Sequence, residues 1–177
     1  MQTSLLAITL AALIPIATQV ASAENAPQLR LASDLDYPGE GYCVDVPGVG
    51  KTARKDLPLV VHNCLPERNS VDRVVVEQNG RLAMPAFDAC VTAFGVNAPL
   101  PGSPVLLRPC GGSESFLPSG RLQTFERTPE NRLRLRGTAL CLTVGAESAP
   151  TFSPVHRWRT LTMESCATVP LSRSAWN

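Results

Sequence analysis

Six cysteines constrain this chain more than any other feature of its sequence. Short and long spacings alternate between them, so they fall into three pairs. The pairs are Cys43 and Cys64, Cys90 and Cys110, and Cys141 and Cys166. An even number of cysteines indicates disulfides if the compartment is oxidising, although spacing alone does not say which cysteine bonds to which. Three recurring pairs also indicate three repeated units.

The N-terminal segment bears on the compartment. Residues 5–17 form an apolar run, and a stretch of small residues follows it and ends at Ala23. This is the layout of a secretory signal peptide over residues 1–23. The run is too short to cross a membrane, which takes about 20 apolar residues. We therefore expect a secreted or periplasmic protein with no membrane span, whose mature chain, 24–177, forms one domain.

The sequence around the first cysteine of each pair recurs along the chain. Tyr-Cys-Val-Asp-Val at 42–46 corresponds to Ala-Cys-Val-Thr-Ala at 89–93 and to Leu-Cys-Leu-Thr-Val at 140–144. We expect the residues one and three positions after each of these cysteines to point inward, and the residue between them to point outward. Such alternation predicts a strand with one buried face.

The approach to each second cysteine alternates in the same way. Residues five and three positions before it are apolar, and the residue two before it is polar, which again predicts strands. The apolar positions are Leu59 and Val61, Val105 and Leu107, and Leu161 and Met163. The polar positions are His62, Arg108 and Glu164.

A further segment links one unit to the next. Residues 72–90 align with residues 123–141 without a gap, which matches Val74 with Phe125. Asn79-Gly80 predicts a two-residue hairpin turn inside the first of these segments. The third unit ends early in this segment, and residues 28–31 are expected to supply its missing strand. The chain is thus expected to close on itself as three units, about 40–86, 87–137 and 138–177, with about twelve short strands.

The recurring pattern resembles the ricin B-chain type lectins. It combines Cys-Val-Asp-Val, an alternating strand that ends in cysteine, and a segment like the family's Gln-x-Trp. That segment reads Gln123-Thr124-Phe125 in the second unit and Ser174-Ala175-Trp176 in the third. In the first unit it would be Asp72-Arg73-Val74. The resemblance covers about residues 28–177 and implies an all-β fold, a β-trefoil of three repeats.

The same resemblance implies the disulfide pairing, which joins the two cysteines of each unit. It gives Cys43–Cys64, Cys90–Cys110 and Cys141–Cys166. Each bridge would close a loop of about 20 residues and contribute roughly 3 kcal/mol through the lost entropy of the unfolded chain.

The resemblance further implies where a sugar would bind. In such lectins a carboxylate two residues after the first cysteine accepts sugar hydroxyls, and an aromatic ring two before the second cysteine packs on the sugar. Only the first unit keeps the acid, as Asp45, because Thr92 and Thr143 replace it elsewhere. His62 stands at the stacking position of that unit. Polar neighbours complete the candidate carbohydrate site, which comprises Asp45, His62, Asn63 and Asp72. Asp45 could instead cap a turn, since Pro and Gly follow it closely.

Other functional classes find little support in the sequence. A formal net charge of +1 disfavours nucleic-acid binding, which requires a basic excess or stripe. The cysteines and the two histidines lack zinc-ligand spacing, so we expect no metal and no cofactor. No Gly-x-Ser-x-Gly motif is present, and we expect the protein not to be an enzyme. The cluster Arg157-Trp158-Arg159 could make a cation–π contact, although such a cluster is more typical of loop packing.

The sequence therefore predicts an exported, non-catalytic carbohydrate-binding module that binds glycans or glycoproteins weakly, mainly through its first unit. The alternative is a protein-interaction trefoil with a protein partner subunit. The cell-binding accessory subunits of cytolethal distending toxins are of that kind, and other trefoils inhibit proteases. The scarcity of aromatic residues, 5% of the chain, favours the alternative slightly, because sugar sites use exposed rings.

Overall fold

The computed structural model describes residues 27–64, 73–112 and 119–177. The described chain is all-β, as expected, and its one α-helix, α1 (Ser119–Leu122), is a single turn. The strands are β1 (Tyr42–Asp45), β2 (Val60–Asn63), β3 (Val76–Gln78), β4 (Arg81–Met84), β5 (Ala89–Ala93), β6 (Ser103–Pro109), β7 (Phe125–Arg127), β8 (Leu133–Leu135), β9 (Leu140–Val144), β10 (Ala149–Pro150) and β11 (Arg157–Ser165). The expected signal peptide and the site candidate Asp72 lie outside the described residues.

All eleven strands belong to one curled sheet in which neighbours run antiparallel. Its main path runs β3, β4, β5, β6, β11, β9, β8 and β7. The β1–β2 hairpin joins this path through β11, which is the longest strand and also pairs with β10. In the described part of the chain no helix is long and apolar enough to span a bilayer.

Three hairpins, β1–β2, β5–β6 and β9–β11, pair in the same register. In each one the first cysteine faces the residue two before the second cysteine. The facing pairs are Cys43 with His62, Cys90 with Arg108, and Cys141 with Glu164. The disulfides are Cys43–Cys64, Cys90–Cys110 and Cys141–Cys166, which confirms the expected pairing. Three disulfides are typical of proteins outside the reducing cytosol.

Three backbone hydrogen bonds also recur from unit to unit. The amide of Val75 donates to Pro27 (3.0 Å), that of Phe125 to Gly80 (2.7 Å) and that of Trp176 to Asn131 (2.9 Å). Val75, Phe125 and Trp176 therefore occupy equivalent positions. All three side chains are buried, and Trp176 is completely so.

The ungapped match of Val74 with Phe125 is accordingly wrong by one residue. The turn between β3 and β4 contains two residues, Asn79 and Gly80, both with positive φ, as the sequence predicted. The turn between β7 and β8 contains three, because Thr128 bonds to Arg132 around residues 129–131. The first unit's counterpart of Gln-x-Trp is therefore 73–75, and Arg73 stands where Gln123 stands in the second unit.

The two ends of the described chain meet. Leu31 forms a bridge with Trp176, and Arg30 forms one with Cys43. The amide of Asn177 donates to the carbonyl of Arg30 at 2.8 Å. Residues 30–31 thus lie between the C-terminal segment and the first hairpin.

Apolar side chains of all three hairpins form one core. The residues five and three before each second cysteine are buried, which confirms the predicted alternation. The residues one and three after each first cysteine lie in the core, as expected. The residues between them lie on the opposite face, which is covered as well, because β1, β5 and β9 are buried on both faces. These residues are at most 5% exposed: Asp45, Thr92 and Thr143.

Candidate functional site

Asp45 lies at the end of β1 and makes internal contacts. Its Oδ1 accepts a hydrogen bond from the backbone amide of Val46 at 2.8 Å. Its Oδ2 pairs with Nη2 of Arg73 at 2.8 Å, and the two side chains are only 7% and 14% exposed. A guanidinium of the same chain therefore neutralises the Asp45 carboxylate that the family resemblance assigned to sugar hydroxyls.

The second unit places an uncharged pair at the equivalent position. Nε2 of Gln123 donates to Oγ1 of Thr92 and to the carbonyl of Pro109, both at 3.0 Å. Its Oε1 accepts the amide of Gly111 at 2.8 Å. Gln123 is completely buried. Its hydrogen bonds join β5, which contains the first cysteine of the unit, to the turn around the second cysteine. Arg73 and Asp45 make the matching contact in the first unit.

Asn63 ends β2 and is also completely buried. Its Nδ2 donates to Oε2 of Glu40 at 2.6 Å, and its Oδ1 accepts the amide of Arg157 at 3.1 Å. The side chain thus connects the N-terminal segment, the first hairpin and the third hairpin. Both ends of the amide are used in these contacts.

His62 is the most accessible of the described site candidates. It shares a face of the first hairpin with Asp45, since Cys43 and Asp45 face His62 and Val60. Its ring meets the edge of the His156 ring, with centroids 5.5 Å apart. Trp158 stands opposite His62 on β11. The structure therefore brings together His62 with two aromatic residues that the sequence did not place in the site.

Burial lowers the pKa of His62 below its ordinary value, and it outweighs the hydrogen bond to the Asn63 carbonyl, which acts in the opposite direction. The positive charge of Arg73 and the neighbouring His156 lower the pKa further, while Glu40 raises it. His62 is therefore a neutral imidazole at neutral pH.

Within the cluster Arg157-Trp158-Arg159, the side chain of Arg159 is buried. Its guanidinium lies 5.1 Å from the ring centroid of Tyr42, which confirms a cation–π contact for this cluster. Its Nη2 pairs with Asp36 at 2.6 Å. Burial alone would raise the pKa of Asp36, but hydrogen bonds from Ser148, Arg159 and Tyr42 hold it well below its usual range.

Exposed apolar side chains concentrate on the loops of the three hairpins. Eight large apolar residues are exposed in the described part of the chain, and all but Leu171 lie on these loops. They are Val49 and Leu57 in 46–59, Phe94, Val96 and Leu100 in 94–102, and Phe152 and Val155 in 145–156. Each loop leads directly into a strand segment that pairs with a neighbouring hairpin. The sequence analysis did not single out these residues, although the loops lie between the alternating segments it identified.

Within residues 27–64, 73–112 and 119–177, no three His, Cys, Asp or Glu side chains lie close enough to hold a metal ion.

No protein-family model matches this sequence, and no curated protein matches it. Solved structures do share its fold. The solution structure of the mdaA-1 domain is 13% identical, with a TM-score of 0.56, over 87% of this chain and 93% of that domain. The agglutinin from Abrus precatorius is 18% identical, with a TM-score of 0.57, over 90% of this chain. This chain spans only about half of the agglutinin chain, 51%.

The cytolethal distending toxin from Actinobacillus actinomycetemcomitans is 18% identical, with a TM-score of 0.49, over 84% of this chain and 88% of that one. At identities this low, the agglutinin and the mdaA-1 domain show a shared fold. The agglutinin fold agrees with the ricin B-type resemblance of the sequence.

Proposed function

We propose that this chain is an exported, non-catalytic binding module with a β-trefoil architecture, and that it recognises a protein partner through its hairpin loops. The observation that carries the proposal is the concentration of exposed apolar side chains on the three loops. Single exposed apolar residues are ordinary, but apolar side chains that gather in one surface patch mark an interaction site. Phe94 and Phe152 are the aromatic members of the group, and aromatic residues are enriched at protein contacts.

The recurring features support the trefoil. Three disulfide hairpins share one register, and three equivalent hydrogen bonds hold Val75, Phe125 and Trp176. A trefoil contains three such units, and closure of the chain protects its sheet edges. The disulfides support export, since they persist in oxidising compartments.

Glycan binding through the first unit receives less support from the geometry. Asp45 is paired with Arg73, and both polar groups of Asn63 are used within the fold. A sugar site needs polar groups that converge on the ligand, and these two converge on the protein itself.

The charge-free loop 94–102 provides the sharpest test. A variant with Phe94→Ser, Val96→Ser and Leu100→Ser removes three exposed anchors without touching the core. Immobilised wild-type protein is expected to retain a stoichiometric partner from the source culture, and the triple variant should bind that purified partner at least about tenfold more weakly. Leu171→Ser is the control, because Leu171 is apolar and as exposed as Phe94 but lies off the loops.

Two results would contradict the proposal. One is equal binding of the partner by the triple variant and by wild type. The other is complete release of the partner by free monosaccharides, which would indicate a lectin contact instead. Export is tested separately, by sequencing the N-terminus of protein recovered from the periplasm and the medium, where cleavage after Ala23 is expected.

A further inference from the structure

The loop of the third hairpin contains a cleft that the candidate site does not use. Gly145 donates to the carbonyl of Thr160 at 2.9 Å, and Ala149 pairs with Trp158. Between these contacts, residues 146–148 face the single residue Arg159 on β11. The extra residues bulge away from β11, as unequal strand lengths require. The bulge opens a cleft of about 320 Å³ beside Trp158.

Two arginines hold this bulge in place. Nη1 of Arg159 donates to the carbonyl of Gly145 at 2.8 Å and also bonds to that of Ala146. Arg157 donates from Nη2 to the carbonyl of Ser148 at 3.2 Å and from Nε to its hydroxyl at 3.0 Å. The wall of the cleft is therefore organised before any ligand arrives, which lowers the entropic cost of binding.

The carboxylate of Asp36 offsets part of the positive charge beside the cleft. Arg159 pairs with Asp36 at 2.6 Å, and Arg157 lies 3.6 Å from the same carboxylate. Hydrogen bonds to backbone carbonyls use further donors of both guanidiniums. An anionic ligand would therefore gain little from them, while Glu147, exposed on the rim, would repel it.

The remaining groups suit a sugar. Trp158 is partly exposed and lines the cleft, and Glu147 and Thr160 are exposed beside it. An indole face packs on the C–H face of a sugar ring, and a carboxylate and a hydroxyl bond to its hydroxyl groups. We propose that the Trp158 cleft binds one neutral pyranose residue of a glycan.

This position differs from the one that the ricin B-type resemblance assigns. In the third unit that position would be Thr143 with Glu164, and Thr143 is completely buried with its hydroxyl bonded to the Cys141 carbonyl at 2.9 Å. The Trp158 cleft depends instead on the bulge at 146–148. It shares loop 145–156 with the proposed protein contact but is separate from loop 94–102, where that contact is tested.

The protein carries its own spectroscopic probe for the test. It has two tryptophans, and Trp176 is completely buried with Nε1 bonded to the Leu142 carbonyl at 3.1 Å. A change in emission on adding sugar therefore reports on Trp158. Wild type is titrated with galactose, glucose, mannose and N-acetylglucosamine at millimolar concentrations, and variants are compared by calorimetry. We expect a saturable emission change with at least one of these sugars.

Trp158→Ala should weaken that binding at least about tenfold, and Glu147→Gln should weaken it a few-fold. Leu171→Ala is the control, because Leu171 is an exposed apolar residue outside the cleft and off the hairpin loops, and it should bind as wild type. Near-ultraviolet circular dichroism checks that each variant is folded.

The proposal is overturned if folded wild type shows no saturable change with any of the sugars, or if Trp158→Ala binds sugar as tightly as wild type. The triple variant of loop 94–102 should keep full sugar affinity. Failure of the protein contact and failure of the sugar cleft are thus distinguishable.

Discussion

The first and second hairpins hold equivalent positions with different chemistry. In the first, Asp45 pairs with Arg73, and in the second Thr92 bonds to Gln123. Both contacts join the strand after the first cysteine to the segment that precedes Val75 or Phe125. The position therefore stabilises the fold in either form, and the carboxylate of the first unit serves that contact. A buried charge pair adds little over a neutral pair, but it is costly to break on one side only.

Removing the Arg73 guanidinium should lower the free energy of unfolding more than any other substitution considered for the two hairpins. Arg73→Met leaves the Asp45 carboxylate buried without its guanidinium, and the free energy of unfolding should fall by about 3–5 kcal/mol. Urea unfolding with intact disulfides measures it. The control is Arg134→Met, whose pair with Glu126 is exposed and should contribute less than about 1 kcal/mol. Equal effects of the two substitutions would mean that the Asp45–Arg73 pair is not a structural contact.

Breaking the Thr92–Gln123 pair of the second hairpin should lower the free energy of unfolding less than Arg73→Met does. Gln123→Ala leaves the Thr92 hydroxyl, the Gly111 amide and the Pro109 carbonyl without this partner, and it leaves a small cavity. We expect a loss of about 2–3 kcal/mol in the same urea experiment. Gln78→Ala, on the exposed part of β3, is the control and should be nearly neutral. A larger loss in the free energy of unfolding than Arg73→Met causes would contradict this prediction, because the neutral pair would then contribute more than the charged one.

Converting the charged pair of the first hairpin into the neutral pair of the second should lower the free energy of unfolding less than Arg73→Met or Gln123→Ala does. The double variant Asp45→Thr, Arg73→Gln gives the first hairpin the side chains of the second, and its stability should lie within about 1.5 kcal/mol of wild type. A double-mutant cycle with the two single variants should then show strong coupling. Additive losses would show that the Asp45 and Arg73 side chains do not stabilise each other.

The free energy of unfolding should also depend slightly on pH through the first hairpin, which contains His62, and not through the second. His62 has a lowered pKa in the folded state, whereas the equivalent position of the second hairpin, Arg108, has no imidazole. Below about pH 6.5 the unfolded chain binds a proton that folded His62 resists, so the free energy of unfolding should decrease as the pH falls. His62→Gln should flatten this slope. A slope unchanged in His62→Gln would assign the effect to another group.

Asp36 acts in a separate, more acidic range. Its folded pKa is depressed, so its contribution to stability is complete above the unfolded carboxyl pKa and is lost as the pH falls below it. The two titrations can therefore be resolved in one series of urea curves.

The sequence predicted the scaffold well because its signals are local. Alternation before Cys64, Cys110 and Cys166 identified strands, and Asn79-Gly80 identified a two-residue turn that the structure contains. The disulfide pairing followed from family resemblance, since spacing alone left it open. The one-residue error at Val74 arose because the two segments were aligned from Cys90 and Cys141 alone. That alignment could not show that the turn between β7 and β8 is one residue longer than the turn between β3 and β4.

The sequence by itself determined the all-β class, three repeated cysteine-containing units and the apolar faces of their hairpins, since these depend on the order of residue types along short segments. Only the tertiary structure decided what the polar residues of those segments contact. It paired Asp45 with Arg73 and Asn63 with Glu40, placed His62 against His156, and opened a cleft beside Trp158. The physical reason is that a buried polar group must find a partner, and its partner here comes from a segment distant in sequence.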